Sequence, residues 1–146
     1  MAEWIEPVFD RTLADVEYAR QQLAHKVNDT EYKGCFNVSD INRIENNAKY
    51  LSEKLRELYY FNTVDTVVSW TENDVMSQSH VTRCINNIKA MWNEWGKPRD
   101  ALDLPDTLIT YTHVNNIEEN LYVLRKMLDA MVSSFVECGT HECGEG

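Results

Sequence analysis

Val38-Ser39-Asp40-Ile41-Asn42-Arg43-Ile44-Glu45-Asn46-Asn47-Ala48-Lys49-Tyr50-Leu51 decides the fold, because the chain returns to it 73 residues later as Tyr111-Thr112-His113-Val114-Asn115-Asn116-Ile117-Glu118-Glu119-Asn120-Leu121-Tyr122-Val123-Leu124. The shared pattern is hydroxyl-x-aliphatic-Asn-x-Ile-Glu-x-Asn, with Leu four residues further on. Apolar identities at helical spacing arise readily by chance. Two Asn, a Glu and a hydroxyl in one register do not. A repeated supersecondary unit implies that neither copy buries its apolar face alone, so the copies pack on each other.

Working outward, the steps between apolar residues alternate between three and four. One helix reads from Ser39, a good N-cap with Asp40 complementing the dipole, through Ile41, Ile44, Ala48, Leu51, Leu55 and Leu58. Its partner reads from Thr112 through Val114, Ile117, Leu121, Leu124, Leu128, Met131 and Phe135. Both carry a seam suited to shallow, antiparallel bundle packing, and each is expected to run about 22 to 25 residues, or roughly 33–37 Å. Two further helices read over about 12–28, with Leu13, Val16, Leu23 and Val27, and about 77–95, with Val81, Ile85, Ile88, Trp92 and Trp95. Gly96 and Pro98 stop the latter. The expected fold is mainly α: a single helical domain over 1–146, in which duplicated helical hairpins, about 10–60 and 75–136, form a four-helix bundle followed by a tail at 137–146. The connector Phe61–Trp70 is β-branched and partly alternating, which predicts a short strand with the C-terminal stretch as its candidate partner.

Composition narrows the function classes. At 146 residues and 43% hydrophobic, the chain can bury a core without staples. No apolar run reaches membrane-spanning length, and Met1-Ala2-Glu3-Trp4 lacks the basic and apolar regions of a secretory signal. The net charge is −10. Acidic residues exceed basic ones by eleven to eight in residues 1–60 and by thirteen to six in 61–146. Repulsion disfavours nucleic acid or an anionic membrane as partner, whereas a basic protein surface would suit the second half. The four Cys are read as reduced thiols.

The chemical signals are sparse. Glu45 and Glu118 form a symmetric carboxylate pair of the kind that two-metal or glycosidase sites use. Yet a bundle di-metal site needs Glu-x-x-His, and here Ala48 and Leu121 follow the two Glu. The expectation is therefore structural: Asn42, Glu45, Asn115 and Glu118 satisfy loop backbone near the starts of their helices. Cys138, His141 and Cys143 offer three soft ligands too tightly spaced for a zinc knuckle, and Cys35, Cys84 or His113 would complete a set only through tertiary structure. No phosphate loop, nucleophile elbow or His-Glu-x-x-His appears, so no catalytic residue, metal or cofactor is assigned. Trp92 and Trp95 read as core. Trp4 is a candidate interface anchor, as are Cys138, Gly139, Cys143 and Gly144 in the acidic, Gly-rich tail. That tail cannot form a core of its own, and strand addition is its expected mode, either to the 63–69 strand of its own chain or to an edge in a neighbouring subunit.

Asp10-Arg11-Thr12-Leu13-Ala14-Asp15-Val16, Phe36-Asn37-Val38-Ser39-Asp40-Ile41-Asn42-Arg43-Ile44-Glu45, Trp70-Thr71, and Tyr111-x-x-Val114-Asn115-Asn116-Ile117-Glu118 occur in the order of a recurrent module of bacteriophage structural proteins, which the chain resembles over about residues 8–146. The module's usual doubled Ser-Gly-Glu ending is replaced by Cys138-Gly139-Thr140 and Cys143-Gly144-Glu145. A Ser-based ending is not a ligand set, a further argument against zinc. The resemblance implies a non-enzymatic virion component, alone or appended to tail, baseplate or fibre proteins, present as a homo-oligomer or in multiple copies and assembled in the host cytoplasm. It transfers no activity to any residue. The alternatives are an intracellular acidic adaptor or regulator with a basic partner, and a metal protein built on the Glu pair and the Cys/His tail.

Overall fold

The structure, a computed structural model, describes residues 2–26, 31–58, 64–67, 69–71, 78–105 and 110–140, the last six as backbone only. It is a mainly α, four-helix fold: α1 (Leu13–Ala24), α2 (Val38–Glu57), α3 (Gln78–Glu94) and α4 (Tyr111–Thr140). Helix α1 starts from a Thr12–Asp15 capping box, with the Thr12 N–H on Asp15 Oδ2 at 2.9 Å. Helix α2 starts two residues earlier than expected: its N-cap is Asn37, not Ser39, because the Asp40 carboxylate reaches back to the Asn37 N–H at 2.8 Å.

Helices α2, α3 and α4 pack on one another and supply the core. Arg43 meets Glu118, Arg125 lies over Tyr50, and Lys54–Leu58 share a cleft with Leu128–Ser133. The contacts advance in step along both helices, so α2 and α4 run parallel, not antiparallel.

The duplication seen in α2 and α4 extends to α3. The three helices begin at 38, 78 and 111, and at those offsets Ile41, Val81 and Val114 correspond, as do Ile44, Cys84 and Ile117. So do Ala48, Ile88 and Leu121, then Leu51, Met91 and Leu124, and all twelve residues are between 0 and 6% exposed. Asn47, Asn87 and Asn120 also correspond, and each is buried. The core is thus three helices with equivalent inward faces, each unable to bury its stripe without the other two.

Helix α1 stands outside that arrangement. Ala19 is its one buried residue, and Leu13 and Tyr18 are each 56% exposed. It rests on the loop before α2, where Gly34 comes so close that a Cβ would lie 2.2 Å from the Asp15 carbonyl oxygen; any side chain there would push the helix away.

Among the described residues there is no strand. Residues 64–67 and 69–71 are extended, but helix side chains satisfy their backbone where the sequence suggested a partner strand. Residues 137–140 continue α4, which overrides the expected strand addition for that part of the tail. Residues 141–146, with Cys143 and Gly144, lie outside the described residues.

Candidate functional site

The polar repeat holds extended main chain. Asn115 Oδ1 accepts the Arg11 N–H at 3.2 Å and its Nδ2 donates to the Arg11 carbonyl at 3.0 Å. Asn42 treats Trp70 identically, accepting its N–H at 3.0 Å and donating to its carbonyl at 2.9 Å. A carboxamide paired in this way offers a strand the donor and acceptor that a neighbouring strand would, which is why a helix face can host extended backbone.

The same double bond recurs two residues after positions 45, 85 and 118, at an Asn of each core helix. Asn47 takes Ile5 (3.0 and 2.7 Å), Asn87 takes Asp65 (3.1 and 2.7 Å), and Asn120 takes Leu102 (2.8 and 3.0 Å). Five asparagines therefore clamp three extended segments.

The two glutamates complete the clamps on α2 and α4, and both are fully buried. Glu118 Oε1 accepts the Val8 N–H at 3.0 Å and Arg43 Nε at 2.6 Å; Oε2 accepts Arg11 Nη2 at 2.6 Å and Arg43 Nη2 at 2.9 Å. Asp40 lies against the same two guanidiniums, at 3.0 Å from Arg11 and 2.5 Å from Arg43. Burial works against the Arg43 charge, but Glu118 and Asp40 outweigh it and hold the guanidinium protonated above its ordinary range. Glu45 Oε1 accepts the Val67 N–H at 3.2 Å and Arg83 at 2.6 and 3.1 Å; Oε2 accepts the Trp70 indole N–H. A buried carboxylate is tolerable when its lone pairs are filled in this way.

These contacts define a cyclic order. The segment before α2 starts on α2 at Ile5 and ends on α4 at Val8 and Arg11. The segment before α3 starts on α3 at Asp65 and ends on α2 at Val67 and Trp70. The segment before α4 starts on α4 at Leu102. Arg11 also touches Asp40 in α2, and Trp70 stacks edge-on against His80, the matching position of α3, at 4.6 Å. Each unit is thus a segment followed by a core helix, and α1 with its loop is an insertion between the first segment and α2. That explains its marginal packing.

The remaining candidates lie elsewhere. Trp4 packs within the chain, edge-on to Tyr50 at 5.6 Å and beneath the Arg125 guanidinium at 4.8 Å. Trp92 and Trp95 are partly buried against the core. Cys138 and Gly139 lie in the last turns of α4. Among the described residues no group of three His, Cys, Asp or Glu is placed to hold a metal. Cys84 is buried, and burial together with the nearby Glu45 charge pushes its thiol up to about 12, against a smaller opposing pull from Arg83. Clefts open on the surface of the described residues, two of them beside α2 and α4. One, of about 500 Å³, lies between the C-terminal halves of α2 and α4; the other, of about 480 Å³, lies between α1, the loop before α2 and the start of α4. The Asn and Glu of the repeat line neither.

Reading the sequence missed Arg11, Arg43, Arg83 and Asn87 as parts of the clamps. The signal was present: Val81-Thr82-Arg83-Cys84-Ile85-Asn86-Asn87 is a third, weaker copy of Ile41-Asn42-Arg43-Ile44-Glu45-Asn46-Asn47, hidden by the loss of its Glu. The chain matches no protein-family profile, no curated protein and no solved structure.

Proposed function

We propose that this chain is a non-enzymatic structural or adaptor component of a phage particle or related tail-like assembly, docking on or linking tail, baseplate or fibre proteins in multiple copies. One observation carries the reading. Six of the residues that carry the resemblance to phage structural proteins (Arg11, Asn42, Glu45, Trp70, Asn115 and Glu118) take part in the clamps. A motif whose repeated Asn and Glu bond the chain's own backbone supports a scaffold role, and scaffolds recur wherever a fold is reused as a building block. The carboxylates with the most chemical potential are enclosed by their own donors instead of facing a cleft. The net charge of −10 favours a protein partner over nucleic acid or an anionic membrane.

Mass spectrometry of purified particles tests this. The chain is expected at a fixed stoichiometry with tail, baseplate or fibre proteins and to remain through a salt wash. Absence from particles, with the protein abundant in the lysate, would overturn the reading and favour the intracellular adaptor.

A further inference from the structure

Residues 2–11 are bound as a peptide ligand is bound, through their main chain. Glu53 takes the Ala2 N–H at 3.0 Å, Asn46 donates to the Glu3 carbonyl at 2.6 Å, Asn47 pairs with Ile5, Glu118 takes Val8, and Asn115 pairs with Arg11. All five receiving side chains belong to α2 and α4. The arm adds three side-chain anchors: Trp4 on Tyr50, Phe9 against Tyr122 at 5.3 Å, and Arg11 on Glu118 and Asp40.

The cyclic order gives this arm a particular place. Two segments are lent to the helix of another unit: residues 67–70 to α2 and the arm to α4. The first link joins neighbours along the chain, whereas the arm joins the first unit to the last. The buried core set comes from α2, α3 and α4, and of the arm Trp4 packs against it as a partly buried residue. Between arm and core lies the 12–37 insertion, whose helix α1 has Ala19 as its one buried residue. The arm can therefore leave its groove while the core stays assembled, and the groove selects a segment that each further copy of the chain carries identically.

We infer that the groove between α2 and α4 is an interaction surface for a second copy of this chain: residues 2–11 of one copy seat in the groove of the next. Each contact of the closed form is then remade between copies, so the exchange costs little beyond association. In dilute protein the tethered arm wins, because its effective concentration is of millimolar order. Where copies are held side by side, as in the multi-copy assembly proposed above on which this inference rests, the two arrangements compete on equal terms.

The test uses full-length chain. ¹⁴N and ¹⁵N forms carrying p-benzoylphenylalanine in place of Phe9 are mixed in equal amounts near 1 mM, the concentration scale of the tether. After incubation they are irradiated and digested. Links from the arm to the Tyr122 peptide that join the two isotopes are expected, rising toward about half of all intermolecular links, the random share for exchanging identical subunits. Links of a single isotope only, in samples where hydrogen exchange shows the Val8 and Arg11 amides opening faster than those of Leu51 and Leu124, would overturn the inference. Arm amides that open no faster than the core would do the same. Should the substituted chain fail to fold, native mass spectrometry of unmodified ¹⁴N and ¹⁵N chain decides: mixed dimers that persist on dilution support the exchange, and monomer alone refutes it. Particle incorporation is measured separately, so loss of the virion reading and loss of arm exchange are told apart.

Discussion

Helices α2 and α4 carry a buried Glu in the middle of their clamps, and α3 carries Ile85 at the same position. The difference extends to the partner. Arg43 of α2 reaches Glu118 of α4, and Arg83 of α3 reaches Glu45 of α2. By the same cyclic step, the third arginine would stand at 116 of α4 and reach residue 85 of α3. Position 116 is Asn. Carboxylate and guanidinium are absent together, and Asn42 and Asn115 correspond to Thr82. A buried charge is kept only as a complete set, since an unpaired member costs more than an apolar replacement of both.

The largest effect should come from breaking a complete set. Glu118→Leu leaves Arg11 and Arg43 buried against Asp40 alone and should cost about 3–5 kcal/mol in urea unfolding. Glu45→Leu should cost less, because it strands one guanidinium that is 23% exposed. A Glu118→Leu protein as stable as its parent would mean that the clamp contributes nothing to folding.

Whether α3 is a true member of the ring is settled by its Asn. Asn47→Leu, Asn87→Leu and Asn120→Leu each strand a backbone N–H and carbonyl and should each cost about 1–3 kcal/mol. A neutral Asn87→Leu beside two costly partners would remove α3 from the equivalence.

The absent set can also be rebuilt. Ile85→Glu alone should destabilise, and adding Asn116→Arg should recover part of the loss, with a coupling in a double-mutant cycle of about 0.5–3 kcal/mol. Zero coupling would show that positions 85 and 116 do not face each other as 45 and 83 do.

The smallest effect separates α3 by pH. Cys84 stands where α2 and α4 have Ile44 and Ile117, and its thiol is raised from 9.0 to about 12. A group with a raised folded-state pKa contributes stability that is fully present below the unfolded value and is lost as pH climbs toward the folded one. Between pH 9 and 10 the chain should lose up to about 1.4 kcal/mol relative to its Cys84→Ala variant. Parallel stability curves for the two proteins across that interval would contradict the burial argument.

Several of these features were legible in the residues alone. The 73-residue echo marked α2 and α4, their apolar seams placed Ile44, Leu51, Ile117 and Leu124 in the core, and hydrophobic spacing located α1 and α3. Local chemistry sufficed there, because helical periodicity and caps are written in neighbouring residues. It failed at the connector, where β-branched Val64 to Val67 suggested a strand. An extended segment can be satisfied by carboxamides on a helix as well as by another strand, and propensity does not distinguish the two.

What the sequence determined by itself was the set of helices, the apolar faces of α2, α3 and α4, and the fact that one polar phrase occurs twice in register. Only the tertiary structure decided that α2 and α4 run parallel, that α3 is the third member, that α1 is an insertion, and that Arg11, Arg43 and Arg83 are the counter-charges of Glu118 and Glu45. The reason is range. A helix stripe is specified within four residues, whereas Arg11 and Glu118 lie 107 positions apart and meet only when all three core helices have closed around the segments they hold.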